Sequence, residues 1–240
     1  MQNSSKKTLI SIKNVGICFK KQARLSKGSN KKVFWALQDV TFDIYRNETL
    51  GIIGRNGAGK STILATIGDI YEPDRGEVKN WGCKVSLLSL RAGFVPYLSG
   101  RKNIVLNGLI LGSTKKEIMK DIDKIIEFSE LGDFIDEPVV TYSSGMSARL
   151  GFSTALFMNP DLILIDEVLG VGDINFRKKS TEAIKSKLTK NLSAVLCSHS
   201  EPTIRELCQR VVWLEKGKVE LVGTPDEVFE VYNKRLNVKN

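Results

Sequence analysis

This 240-residue sequence lacks paired histidines, closely spaced cysteines and long apolar runs. A single histidine, His199, excludes metal clusters and catalytic sites that need two imidazoles. The four cysteines form no C-x-x-C pair, which excludes a zinc or redox motif of that spacing. Apolar runs such as Leu162–Ile165 are only a few residues long, whereas a membrane span needs about 20. The N-terminal residues show no secretory signal, so we expect a cytosolic protein with reduced cysteines.

The composition is that of a globular protein, with 42% apolar and 26% charged residues. The net charge of +9 suits a nucleic acid, anionic lipid headgroups or a negatively charged ligand, without choosing among them. The segment Lys20–Lys32 carries six basic residues and no acid. Its glycine, serine and asparagine residues indicate an exposed loop, which is either a solvated connection or a contact with anionic lipid or a partner.

Strands alternate with helices through the middle of the chain, which predicts a mainly parallel sheet covered by helices. The patterns of apolar residues predict strands at 9–19, 33–44, 49–54, 161–166 and 193–198, a hairpin around Lys216-Gly217, and helices at 60–68, 113–131 and 143–158. Thr114-x-x-Glu117 resembles a capping box at the start of the second helix. The segment 95–155 is helical without strands, so we predict that it forms a subdomain inserted into the fold.

A glycine-rich segment after the strand 49–54 fits the pattern G-x-x-x-x-G-K-[ST] at every position. Its glycines allow the backbone N–H groups to face phosphates, and the following helix adds its partial positive charge. Lys60 is expected to reach the β- and γ-phosphates, and Ser61 to ligate Mg²⁺. The predicted nucleotide-binding residues of this segment are Gly54, Arg55, Asn56, Gly57, Ala58, Gly59, Lys60, Ser61 and Thr62.

An apolar strand ends in two carboxylates, Asp166 and Glu167. A carboxylate at the end of a strand beside a phosphate loop can hold Mg²⁺ directly or through water, which is the role predicted for Asp166. Glu167 can polarise the attacking water. The alternative is a buried strand followed by two helix-capping acids, and the phosphate loop makes it the weaker interpretation. A GTPase is disfavoured because the sequence has no N-K-x-D motif to read guanine.

Three further motifs make the chain resemble the ATPases of ATP-binding cassette (ABC) transporters. Tyr142-Ser143-Ser144-Gly145-Met146 resembles the signature motif of that family, L-S-G-G-Q. His199 follows an apolar strand as the family's switch histidine does, and Leu169–Asp173 stands where the family has its D-loop. The resemblance covers about residues 9 to 235. It implies an α/β fold with a P-loop NTPase core of mainly parallel strands, an N-terminal antiparallel β subdomain and an inserted α-helical subdomain. The expected organisation is one ATPase domain, 1–240.

Details of these motifs are similar to those of the ATPases of bacterial polysaccharide exporters, which export O-antigen, capsule or teichoic acid. The similar details are the form of the signature, the residues 166–173, Phe34-Trp35-Ala36-Leu37 and Gly151-Phe152. The resemblance implies an ATPase that energises export of a lipid-linked polysaccharide across the bacterial inner membrane through a separate permease dimer. The alternatives are another exported substrate, or a soluble ATPase of the superfamily that acts on nucleic acid or the ribosome. We expect no appended carbohydrate-binding domain, because the chain ends at 240.

In this family the signature serves the γ-phosphate bound by a partner subunit, so Ser143, Ser144 and Gly145 are implied to complete the site of a second copy. Two copies would close head-to-tail over two ATP molecules and their Mg²⁺ ions. The implied catalytic residues are Glu167 and His199, and the implied metal ligands are Ser61 and Asp166. The expected partners are the second copy and the permease dimer, with no nucleic acid. The protein would then lie at the cytoplasmic face of the inner membrane and contact the membrane through the permease.

Two parts of the family pattern have no clear counterpart here. No glutamine stands between the phosphate loop and the signature where the family has a coupling glutamine, and Ser89 is the best candidate for that position. The aromatic residue that stacks on adenine could be Phe19, Phe34 or Trp35, each of which could equally be a core residue.

Overall fold

The computed structural model describes residues 7–20, 33–88, 93–166, 173–189 and 192–237. The chain separates into two compact units: residues 1–83 with 193–240 form the first unit, and residues 84–192 form the second unit. Several predicted features lie outside the described residues. They are Ser89, Glu167, residues 169–172 of the D-loop and residues 21–32 of the basic segment.

The first unit contains a three-stranded antiparallel sheet. Strand β1 (Thr8–Lys20) lies between β2 (Val33–Tyr45) and β4 (Arg75–Asn80). The side chains that this sheet buries include Ile10, Ile12, Leu37, Val40 and Ile44. The predicted N-terminal antiparallel subdomain is therefore confirmed, with β4 as an additional strand.

The same unit contains three parallel strands, β3 (Thr49–Ile53), β7 (Ser193–Cys197) and β8 (Arg210–Glu215). Strand β3 lies between β7 and β8 and is parallel to both. Every residue of β3 and β7 is buried, as in parallel sheets that are covered on both faces. Strand β9 (Lys218–Gly223) pairs antiparallel with β8. The helices of this unit are α1 (Lys60–Ile67), α6 (Glu201–Leu207) and α7 (Pro225–Asn237).

The second unit is mostly helical. It contains α2 (Gly100–Ile110), α3 (Lys115–Ser129), α4 (Ser144–Phe157) and α5 (Ile174–Leu188), two short 3₁₀ helices at Gly132–Asp136 and Val139–Thr141, and the parallel strands β5 (Val85–Leu87) and β6 (Leu162–Asp166). Ile118, Ile122 and Ile125 of α3 share one helix face, and they pack with Ile104 and Leu150 in the core of this unit. The predicted capping box is present at Thr114.

The predicted fold class is confirmed: β3 is parallel to β7 and β8, β5 is parallel to β6, the N-terminal sheet is antiparallel, and residues 100–157 contain helices and no strand. A single domain of residues 1–240 with an insert at 95–155 stays a prediction. None of the helices in the described part of the chain combines the length and the apolar character that crossing a bilayer requires.

Candidate functional site

The predicted phosphate loop is a tight turn between β3 and α1, and its geometry requires glycine. Gly54 has a φ of +153°, and a Cβ there would lie 2.2 Å from the carbonyl oxygen of Leu214. Gly59 has a φ of +107°, and its Cβ would lie 2.8 Å from the carbonyl oxygen of Ala36. Gly57, at +77°, faces open space. Side chains are therefore excluded at Gly54 and Gly59 by both conformation and contact, and at Gly57 by conformation alone.

The carbonyl oxygens of the loop are directed towards donors of the protein itself. The amine of Lys60 donates to the carbonyls of Gly54 and Arg55, at 2.9 and 3.3 Å. The N–H of Ala58 donates to the Arg55 carbonyl at 3.1 Å, and the N–H of Gly217 donates to the Ala58 carbonyl at 2.9 Å. Carbonyls that point into the protein do not repel an anion, which suits a loop that binds phosphate through its N–H groups.

Helix α1 begins at this loop with an uncapped N-terminus. Its N-cap residue, Gly59, supplies no side-chain hydrogen bond, and the first turn contains no acid. Ser61 in that turn is exposed. The first N–H groups of a helix need acceptors, and the helix dipole favours an anion there. The arrangement therefore fits a phosphate group, with the Ser61 hydroxyl available to a metal ion beside it.

Lys60 and His199 lie together in the first unit. The buried amine of Lys60 is 3.3 Å from Nε2 of His199. An ammonium group has donors only, so Nε2 can only accept in this contact. His199 follows β7 and is exposed, and Ser200 after it caps α6. The predicted switch histidine is thus beside the predicted phosphate-binding lysine, and a group that contacts one is within reach of the other.

The three aromatic candidates lie at the end of the β1–β2 pair where Lys20 is opposite Val33. Trp35 is engaged in packing: the Arg75 guanidinium lies 4.5 Å from its ring centre, and a Cβ on Gly16 would come within 2.9 Å of the ring. Phe19 and Phe34 form a cross-strand pair and are 39% and 48% exposed. Ala36, which is on β2 as Phe34 is, contacts Gly59, so this end of β2 lies beside the phosphate loop. Phe19 and Phe34 are the more accessible candidates.

In the second unit, the predicted signature forms the start of α4. Ser143 is the N-cap, and its hydroxyl accepts a hydrogen bond from the Met146 N–H at 3.2 Å. Ser143 and Ser144 are exposed, and the first turn contains no acid. A Cβ on Gly145 would meet one neighbour, the Ser143 hydroxyl at 3.8 Å. The signature is therefore an accessible helix N-terminus with space for a ligand.

The acidic strand and the D-loop are described only in part. Asp166 is the last residue of β6 and is half-buried. Asp173 is the N-cap of α5 and accepts hydrogen bonds from the N–H groups of Asn175 and Phe176, at 3.0 and 2.9 Å. The Phe176 N–H, and then the nearby Arg149 guanidinium, hold the pKa of Asp173 below its usual value. This aspartate is therefore ionised at neutral pH and stabilises the start of α5.

No group of three or more His, Cys, Asp or Glu residues within the described ranges is placed to hold a metal ion. Mg²⁺, however, is usually bound through one or two protein oxygens together with substrate phosphates and water. The hydroxyl of Ser61 and the carboxylate of Asp166 are oxygen donors of the kind that Mg²⁺ prefers.

Sequence reasoning missed one contributor to the site, the turn between β8 and β9. The hairpin around Lys216-Gly217 was predictable, but its contact with the phosphate loop was not. The contact joins residues that are distant in the sequence, and no local pattern indicates it.

Comparisons with known proteins agree with these observations. The family model described as ABC transporter matches residues 37–170. The O-antigen export system ATP-binding protein RfbB of Klebsiella pneumoniae is 40% identical, over 94% of this chain and 90% of that protein. The teichoic acids export ATP-binding protein TagH of Lactococcus lactis is 47% identical, over 87% of this chain and 45% of TagH.

Solved structures share the fold at lower sequence identity. A dimeric ATP-binding cassette in a post-hydrolysis state, bound to ADP and Pi, matches with a TM-score of 0.72 and 22% identity, over 90% of this chain and 98% of the other. The ATP binding subunit of an ABC transporter matches with a TM-score of 0.76 and 22% identity, over 94% of both chains. These matches confirm the predicted ABC-type fold.

Proposed function

Because the chain belongs to the ABC transporter family, we propose that it is the ATP-hydrolysing subunit of a system that exports a lipid-linked polysaccharide across the bacterial inner membrane. The observation that carries the proposal is the 40% identity to RfbB over 90% of that protein. RfbB is named for O-antigen export and TagH for teichoic acids export, and both names describe ATP-binding proteins. We infer for this chain a cargo of the kind that these two names state.

The residues of the phosphate loop would bind the phosphates of ATP in this proposal. Lys60 would exchange its contacts with the Gly54 and Arg55 carbonyls for phosphate oxygens, and the N–H groups at the start of α1 would donate to the same anion. Ser61 and Asp166 would hold Mg²⁺, which supplies positive charge to the phosphates. The uncapped N-terminus of α1 and the inward-facing loop carbonyls support this assignment.

For hydrolysis, we assign Glu167 as the residue that polarises water and His199 as the residue that contacts the γ-phosphate. The 3.3 Å contact between Lys60 and His199 supports the second assignment, since Lys60 is the predicted γ-phosphate ligand. The assignment of Glu167 rests on the sequence alone, because it follows directly after Asp166 at the end of β6.

Two copies of the chain would form the active unit. Ser143, Ser144 and Gly145 of one copy would contact ATP on the phosphate loop of the other. The open space at Gly145 and the exposed hydroxyls beside it support this role. An accessible helix N-terminus without a charged side-chain cap favours an external anion. The dimeric cassette with ADP and Pi is a protein of the same fold in which two copies assemble.

We place the contact with the permease on the second unit, where exposed apolar side chains support it. Val95, Tyr97 and Val140 are all exposed, Tyr97 at 82%. Val140 donates its N–H to the Pro96 carbonyl at 2.8 Å, so the segments that carry Val95, Tyr97 and Val140 are adjacent. Exposed apolar clusters on a soluble surface mark sites of protein association. Docking there would hold the chain at the cytoplasmic face of the membrane.

The cargo is tested in the source cell by a Lys60→Ala substitution on the chromosome. We expect the surface glycan to disappear and its lipid-linked precursor to accumulate inside, as measured by lipid extraction and glycan analysis. Lys124→Ala, at an exposed lysine of α3, is the matched control and should change neither. An unchanged surface glycan, in a cell with no second copy of the gene, would assign the protein to another exported substrate.

A further inference from the structure

The turn between β8 and β9 lies against the phosphate loop, although the tips of hairpins are usually exposed. Glu215 of β8 pairs with Lys218 of β9, so Lys216 and Gly217 are the two residues of the turn. Both have positive φ, 49° and 79°, the combination found in type I′ turns. Lys216 is exposed and Gly217 is buried. The glycine is therefore the residue that contacts the rest of the fold.

Gly217 binds two other segments through its backbone. Its N–H donates to the Ala58 carbonyl of the phosphate loop at 2.9 Å, and its carbonyl accepts from the Gln38 N–H of β2 at 2.7 Å. A Cβ on Gly217 would lie 2.6 Å from the carbonyl oxygen of Ala36. Three backbone segments thus meet with no room for a side chain between them.

The hydrogen bond from Gly217 to the Ala58 carbonyl also affects the orientation of the neighbouring Gly59 N–H. The Ala58 carbonyl and the Gly59 N–H belong to one planar peptide unit, and no peptide bond in the described part of the chain is cis. In a trans peptide the C=O and the N–H point in opposite directions. A donor that fixes the direction of the Ala58 carbonyl therefore also fixes the direction of the Gly59 N–H.

We propose that Gly217 is a positioning residue for the phosphate loop: its N–H holds the Ala58–Gly59 peptide so that the Gly59 N–H faces the phosphates of ATP. This inference rests on the proposed function in one respect, that the loop binds ATP. Gly217 does not contact the nucleotide. A side chain at this position would push the turn away from Ala36 and lengthen the hydrogen bond to Ala58.

Gly217→Ala tests the proposal against Gly82→Ala as a matched control. Gly82 lies in the same unit with a φ of +83°, close to the +79° of Gly217, but a Cβ there would meet nothing within 4 Å. Both variants place alanine in the same strained conformation, and only Gly217→Ala adds the collision with Ala36. Calorimetric titration of the full chain with Mg-ATP gives the Kd, and thermal unfolding without nucleotide gives the loss of stability.

We expect Gly217→Ala to raise the Kd for ATP about tenfold or more, the scale of losing one hydrogen bond to a charged group. Gly82→Ala should lower the unfolding temperature and leave the Kd within about twofold of the wild type, because its strain does not reach the loop. If the two variants bind ATP equally well, Gly217 has a structural role only and the proposal is overturned.

If Gly217→Ala does not fold, a second pair of variants tests the positioning role of this turn. Lys216→Asn and Lys216→Val remove the same exposed charge, but asparagine adopts positive φ readily and valine does not. We expect the valine variant to bind ATP several-fold more weakly than the asparagine variant. Equal affinities alongside different unfolding temperatures would overturn the proposal. Failure of the wild-type chain to bind ATP would overturn the proposed function and this inference together.

Discussion

The amine of Lys60 has oxygen partners within the protein itself. Its contacts with the carbonyls of Gly54 and Arg55 keep a buried positive charge hydrogen-bonded. If the loop binds ATP as proposed, an incoming phosphate would replace these existing contacts, and the amine is already directed into the loop. His199 approaches the same amine from the end of β7. In the proposed function, Lys60 and His199 would therefore contact one anion from two sides.

The role of His199 can be tested by substitution. We expect His199→Ala to abolish or strongly reduce ATP hydrolysis and to leave ATP binding largely intact, because Lys60 and the loop N–H groups remain. The Kd for ATP and the phosphate release rate measure the two effects separately. His199→Gln is the control that keeps a polar side chain of similar reach. If His199→Ala lowers only the unfolding temperature, the histidine is merely a strand-end residue.

Glu167 gives a second test, of the general base. Glu167→Gln keeps the size and the hydrogen-bonding capacity of the side chain but removes the carboxylate. Turnover should fall by about 10²-fold or more, the usual scale for general base catalysis, while the Kd for ATP is unchanged. Steady-state phosphate release and calorimetric titration measure the two quantities. Turnover near the wild-type rate in Glu167→Gln would assign the role to another residue.

At the scale of elements, helix α3 depends on its first turn. The N–H and the hydroxyl of Thr114 donate to the Glu117 carboxylate at 2.7 and 2.8 Å, and the Glu117 N–H donates back to the hydroxyl at 3.3 Å. We expect Thr114→Ala to lower the free energy of unfolding by about 1 kcal/mol, the usual cost of a lost N-cap. Thr114→Ser keeps the hydroxyl and should be close to wild type in urea unfolding. Equal stabilities for the alanine and serine variants would contradict the capping role.

The same capping box has a predictable dependence on pH. The hydrogen bonds from the Thr114 N–H and hydroxyl hold the pKa of Glu117 below its ordinary value of 4.5. A carboxyl with a lowered pKa in the folded state stabilises the fold above its unfolded pKa and loses that contribution as the pH falls through the lower value. The stability difference between wild type and Thr114→Ala should therefore be largest near neutral pH and narrow below 4.5.

Elements with strong local patterns could be predicted from the sequence, and polar elements could not. Strands β3 and β7 are short apolar runs, and they end within one residue of their predicted limits because burial on both faces demands such runs. Strand β4 is exposed along almost its whole length, so it lacks the alternation that indicates a strand. It forms because its backbone pairs with β1, which a local pattern does not record.

At the scale of the whole chain, the topology brings together residues that the sequence separates. The phosphate loop was predictable because its residues are consecutive. The proximity of Lys60 and His199 depends on β7 being the parallel neighbour of β3, since parallel neighbours end at the same edge of a sheet. The contact of Gly217 depends in the same way on β8, the other neighbour of β3. The spacing of residues along the chain predicts neither the proximity of Lys60 and His199 nor the contact of Gly217. The role of His199 was implied by the family resemblance.

We expect the chain to form a dimer in the presence of ATP. If the signature of one copy contacts ATP on the other, ATP bridges two chains and shifts the population towards the dimer. A variant that lacks the general base should not hydrolyse the bridging ATP and should therefore remain a dimer. We expect Glu167→Gln to be monomeric without nucleotide and dimeric with Mg-ATP, as measured by light scattering after gel filtration. Gly145→Asp places a negative charge where the γ-phosphate would lie, so the double variant Glu167→Gln/Gly145→Asp should stay monomeric with ATP.

Mixing two inactive subunits tests the head-to-tail arrangement directly. Gly145→Asp damages the signature, and Lys60→Ala damages the phosphate loop. In a mixed head-to-tail dimer, one site contains both defects and the other contains neither, because each site takes its loop from one copy and its signature from the other. The mixture should therefore recover ATPase activity that neither variant has alone, provided that one intact site can turn over. As a control, each variant is mixed separately with Lys124→Ala, which we expect to behave like the wild type. The activity of these two mixtures measures the effect of subunit exchange alone. If no ATP-dependent dimer forms at any protein concentration, even for Glu167→Gln, the head-to-tail model is wrong.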